Sequence, residues 1–197
     1  MKLIIIPFSI GLLLAACGPD KNSEADTNQS ATHESPQEAR TAEPAPYFRI
    51  ISSTETFRKQ FNSFAQKHQM GRIRSIRIND GDVCNSFTCT VRDRIEIIGQ
   101  LNKNDNSVRS ITMFASGNGT AESGAEIMMM MYALMAAADP SLSDQDKTEI
   151  LRSLGIFDAH EDANELSGST VRNGIKYYIS ASGLLGIFFG AQSAEDR

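Results

Sequence analysis

No stretch of this 197-residue chain is long and apolar enough to cross a bilayer as a permanent helix. Its two longest hydrophobic runs, residues 3–14 and 125–138, both fall short of the roughly 20 residues a span requires. Basic residues are scarce as well: 19 Lys plus Arg stand against 24 Asp plus Glu, a net charge of −5. That balance argues against a nucleic-acid binder, which wants a basic domain. Catalytic signatures are missing too. The chain has no nucleophile-elbow serine, no Ser-x-x-Lys, no zincin helix and no cysteine with a nearby histidine. The three histidines, His33, His68 and His160, are scattered along the chain and compose no triad. The reading therefore leans away from an enzyme and assigns no catalytic residue, no metal site and no cofactor.

What the first residues do contain is ordered. Lys2 is followed by the apolar run from Leu3 to Leu14, then by the small pair Ala15-Ala16 and by Cys17. A run of that length reads as the hydrophobic region of a secretory signal. Leu14-Ala15-Ala16-Cys17 resembles the lipobox of bacterial lipoproteins, and the resemblance covers residues 1–17 only. It implies a signal peptide over residues 1–16, cleaved before Cys17, and lipidation of Cys17. Several acyl chains make a stable anchor where one alone is marginal. Gly18 stands where the class associates aspartate with inner-membrane retention, so the resemblance implies the periplasmic face of the outer membrane. Removal of Lys2 with the leader leaves 18 basic against 24 acidic residues, a mature charge near −6.

With Cys17 lipidated, Cys84 and Cys89 remain as an even pair in an oxidising compartment, and a disulfide between them is expected. Their spacing is not the two-residue gap of a redox motif or zinc knuckle, so the pair reads as a structural staple. Residues 17–46 are polar and acidic, with Pro36, Pro44 and Pro46 and almost no large apolar side chain. Such a segment cannot offset the entropy of ordering and reads as a disordered tether, on the order of 30 Å long as a flexible coil.

A single domain is expected over residues 47–191, followed by a flexible tail at 192–197. Ser52 and Glu55 suggest a capping box ahead of the helical stripe Phe57, Phe61, Phe64 and His68, with Gly71 as the stop. Three strands follow, at 72–78, 88–101 and 107–115, with Asn79-Asp80-Gly81-Asp82 as a turn. A helix over 120–139, stopped by Pro140, carries the run Met128 to Met131, which is core packing or a groove for an apolar partner. Ser143 caps a further helix ended by Gly155. Asn173-Gly174 marks a hairpin between strands at 169–172 and 175–180, and a last strand spans 184–190.

The order α-βββ-αα-βββ predicts an α+β two-layer sandwich. An antiparallel sheet of about six strands has helices on one face, and an internal duplication of a helix-plus-meander unit is suggested. If the aliphatic face of the sheet is inward, Arg92 and Arg94 lie on its outer face, with Arg72, Arg74, Arg109, Lys176 and Tyr178 joining them subject to register. Cations interleaved with an aromatic on a flat face suit an anionic or protein partner. The function expected is that of a lipid-anchored, non-enzymatic protein-binding module, an adaptor or inhibitor, with a periplasmic protein as partner and no nucleic acid. The alternative is a small envelope enzyme or metal-dependent factor using the loop Asp158-Ala159-His160-Glu161-Asp162.

Overall fold

The computed structural model describes residues 48–158 and 166–196. Helix α1 runs Thr54–Lys67. It is followed by β1 (Arg77–Asn79), β2 (Asn85–Arg92), β3 (Ile95–Leu101) and β4 (Val108–Ala115). Helices α2 (Ala121–Ala138) and α3 (Asp144–Ser153) come next, then β5 (Ser167–Arg172), β6 (Ile175–Ser182) and β7 (Gly186–Ser193). All seven strands form one antiparallel sheet in the order β1-β2-β3-β4-β7-β6-β5. The architecture is an α+β sandwich with its helices on one side. The meanders β2-β3-β4 and β5-β6-β7 meet through their last strands, so one half of the sheet repeats the connectivity of the other.

The sheet has seven strands rather than six because the stretch read as one strand over 88–101 folds back on itself at Asp93-Arg94. Arg94 takes the left-handed conformation at φ 71° that closes this hairpin. A bulge between Thr90 and Arg92 shifts the register by one residue just before the turn. The expected strand at 72–78 shortens to Arg77–Asn79, residues 71–76 being neither helix nor strand.

Helix starts follow hydroxyl caps. Ser53, one residue beyond the expected Ser52, accepts from Thr56 N at 3.1 Å, while Glu55 turns to Arg58 instead of closing a capping box. His68 is the C-cap and Gln69, not Gly71, takes the left-handed position after it. Ser143 and Asp146 do form a reciprocal capping box at α3. Asn173 and Gly174, at φ 53° and 76°, form the two-residue turn that their sequence predicts.

Alternation decides the two faces. Ile95, Ile97 and Leu101 of β3, Ile111 and Met113 of β4, and Ile175, Tyr177 and Ile179 of β6 point at the helices and are buried. Phe57 and Phe61 of α1 meet them, Phe57 lying 5.4 Å from the Phe87 ring of β2. Phe87 itself lies over its cross-strand partner Gly99, where a Cβ would fall 2.1 Å from the ring. In α2, Met130 and Met131 are buried core residues and Met128 packs against the core from its margin. The C-terminal residues are also tied down, in contrast to the tail expected from 192 onward. β7 reaches Ser193, and Asp196 accepts a bidentate pair from Arg109 with Nε to Oδ2 at 2.5 Å.

Candidate functional site

The strand residues of opposite parity form the other face of the sheet, which no described element covers. At its centre β3, β4, β7 and β6 present Gln100, Thr112, Phe114, Tyr178 and Gln192 around a shallow depression of about 390 Å³. Phe114 and Phe188 are cross-strand partners and pack edge to face, with centroids 4.9 Å apart. Tyr178 lies over Gly190, its partner on β7, and reaches β4, where its hydroxyl and Thr112 Oγ1 are 2.7 Å apart. Arg109 occupies the irregularity at the start of β4 and borders this depression, its charge taken up by Asp196 and its guanidinium 5.9 Å from the Phe48 ring. Lys176 stands on the same face opposite Gln192. Of the seven residues expected on one surface, Arg109, Lys176 and Tyr178 are thus together here.

The other four are elsewhere. Arg92 pairs with Ile95 across the bulge and turns to the helix side of the sheet, where its Nε is 2.9 Å from Glu126 of α2. This corrects its expected placement on the outer face. The bulge is the cause, since one extra residue flips the side-chain parity. Arg94 is in the turn itself, its carbonyl accepting from Ser116 N at 3.1 Å. Arg72 and Arg74 belong to the extended segment after α1. Asn62 clamps that segment, accepting from Ile73 N at 2.8 Å and donating to Ile73 O at 2.9 Å. Between this segment, α1 and the end of β2 runs a groove of about 1090 Å³ whose lining includes Arg58, Arg72, Arg74 and Arg92 together with Asp93 and Glu126. Arg58, which the sequence reading did not single out, projects there from α1 while paired with Glu55 at 2.9 Å.

Phe114, Phe188 and Thr112 were also missed. Their one sequence signal is parity: each occupies the strand position that should be polar if the outer face were merely solvated, and two of the three are aromatic.

Cys84 and Cys89 are both free thiols in this structure. Cys89 is an inward residue of β2, whereas Cys84 precedes Asn85, the first residue of that strand. Burial, and secondarily the charge of Glu96, pushes the Cys89 thiol up to about 12.

His68 stacks on Phe64 at 4.3 Å, as a helix-end residue packed on its own last turn. Among the described residues no group of three or more His, Cys, Asp or Glu side chains could hold a metal. Of the loop Asp158-Ala159-His160-Glu161-Asp162, all but Asp158 lies outside the described residues, as do Cys17 and residues 17–46. No protein-family model, no curated protein and no solved structure matches this chain.

Proposed function

We propose that this chain is a lipid-anchored, non-enzymatic binding module of the outer membrane's periplasmic face, an adaptor or inhibitor that docks a periplasmic protein on the open face of its sheet. The observation that carries the reading is the uncovered centre of that face. There the aromatic pair Phe114–Phe188 and the Tyr178 ring lie among the amides and hydroxyls of Gln100, Ser110, Thr112 and Gln192. Amphipathic aromatics ringed by neutral hydrogen-bonding groups are the composition of a protein-docking surface. The sequence of Lys2, the apolar run, Ala15-Ala16 and Cys17 supports the address.

A photo-crosslinking residue placed at Ser180, on the open face, is compared in living cells with one at Gln145, on the exposed side of α3. A discrete adduct is expected from Ser180 and not from Gln145. Equal adducts from both positions, or none from Ser180, would sink the reading. Metabolic labelling with a clickable palmitate analogue tests the anchor separately and should fail in Cys17→Ser.

A further inference from the structure

The arginine groove shares no residue with the open-face depression and has no part in the reading above. Two of its four guanidiniums are already answered, Arg58 by Glu55 and Arg92 by Glu126. Arg72 and Arg74 are exposed, and neither has an ion-pair partner among the described residues. They stand two positions apart in an extended segment whose intervening residue, Ile73, is buried and pinned by Asn62. Both side chains therefore emerge on the same side, roughly 6–7 Å apart along the backbone.

A single phosphate or small anion calls for cations converging on one point. Here they are strung along a groove, and the carboxylates Asp93 and Glu126 in the same lining would repel a densely charged polyanion. An extended peptide carries its alternate side chains on one face at the same roughly 6–7 Å repeat. The backbone beside the groove also suits a chain lying lengthwise. β1 pairs with β2 only from Ser86 to Thr88, so from Cys89 onward β2 has no strand on that side. No backbone hydrogen bond joins residues 71–76 to it.

We propose that this groove binds an extended segment of a partner protein carrying carboxylates at alternate positions. Arg72 and Arg74 take successive carboxylates, and Arg92, held in place by Glu126, lines the facing wall. An acidic protein that concentrates arginines in one channel selects for acidic segments that the rest of its surface repels.

The test titrates the full chain, in detergent solution, against a fluorescein-labelled Glu-Thr repeat peptide by anisotropy. A Lys-Thr repeat, inorganic tripolyphosphate and phosphatidylglycerol vesicles serve as competitors. The expected result is saturable binding of the Glu-Thr peptide that weakens as salt is raised, with no competition by the Lys-Thr peptide. Arg72→Glu with Arg74→Glu should weaken it by about tenfold or more. Arg72→Gln with Arg74→Gln should give a smaller loss, and this neutral pair carries the test if the charge-reversed protein does not fold. The proposal is overturned if binding does not saturate or if neither arginine pair changes it. It is equally overturned if tripolyphosphate or the vesicles displace the peptide through these same arginines, which would mean a compact phosphate or a lipid surface is the ligand. The crosslinking outcome at Ser180 is independent of each of these results.

Discussion

Tyr178 lies flat across Gly190: a Cβ at position 190 would fall 2.3 Å from both Cζ and the hydroxyl oxygen of Tyr178. The ring spans from β6 over β7 to Thr112 of β4, so one side chain ties three strands on the face proposed for docking. Gly190→Ala must lift the ring and break the bond to Thr112. Overpacking of this kind costs about 1–3 kcal/mol and should appear as a lowered Tm. Tyr178→Phe keeps the ring over the glycine and removes only the hydroxyl, a loss of about 0.5–1.5 kcal/mol. If the glycine variant is no less stable than the phenylalanine variant, the aromatic cover over Gly190 contributes nothing.

Arg94 shows both how far the sequence could be read and where it went silent. The helices, the Asn173-Gly174 hairpin and the inward stripe of β6 carry local chemistry of their own: hydroxyl caps, a pair of residues tolerant of positive φ, and clean alternation. The Asp93-Arg94 turn carries none, because Arg is a poor occupant of φ 71° and the bulge before it restores the apolar parity on the far side of the turn. Val91, Ile95 and Ile97 therefore read as one uninterrupted strand with Arg92 and Arg94 on its outer face, whereas the bulge turns Arg92 to the helix side and Arg94 sits in the turn. The aromatic centre of the open face was equally hidden, since it exists only once β4 and β7 are neighbours, a long-range pairing that no local pattern encodes. A test follows from the strain. Arg94→Gly should stabilise the domain by about 1 kcal/mol, read as a raised denaturation midpoint with an unchanged m-value.

The two thiols should behave differently. Cys89 is buried in β2 with its thiol pushed up to about 12, so it stays protonated and unreactive at neutral pH, whereas Cys84 is only half-buried. Alkylation of the native protein without reductant is expected to modify Cys84 and spare Cys89, and the second thiol should react only after denaturation. Intact mass spectrometry counts the adducts. No alkylation before reduction would show that the two sulfurs are bridged and that the end of β2 rearranges to allow it.

Tyr177 is fully buried on the inward face of β6, and its hydroxyl has no hydrogen-bond partner among the described residues. Burial, reinforced by the nearby Asp139 charge, raises its ionisation well above the usual range. An unsatisfied buried hydroxyl costs more than it contributes, so removing it alone should not hurt. Tyr177→Phe is expected to be neutral or to stabilise by up to about 1–2 kcal/mol in chemical denaturation. Tyr177→Ala, which empties a core position, should cost about 3–5 kcal/mol by analogy with other large aromatic truncations. A clear loss of stability in the phenylalanine variant would mean that the hydroxyl has a partner, such as a buried water.

Acid should weaken the contact where α3 meets β5. Asp146 accepts from Ser143 Oγ at 2.6 Å and from Ser143 N at 3.0 Å, closing the capping box, and it also accepts from Arg172 of β5. These contacts, the hydroxyl bond foremost, hold its carboxyl down at about 2. Neighbouring Asp144 is lowered as well, chiefly by its hydrogen bond from Lys147. A carboxylate depressed in the folded state contributes stability that is fully present above its unfolded value, near 4, and is lost as pH falls toward the folded one. The midpoint of thermal unfolding should therefore be level through neutral pH and decline between about pH 4 and pH 2. Asp146→Asn cannot ionise, so it should start from a lower midpoint at neutral pH and show a shallower decline across that window. Identical slopes for the two proteins would place the acid-sensitive contacts somewhere other than the junction of α3 with Arg172.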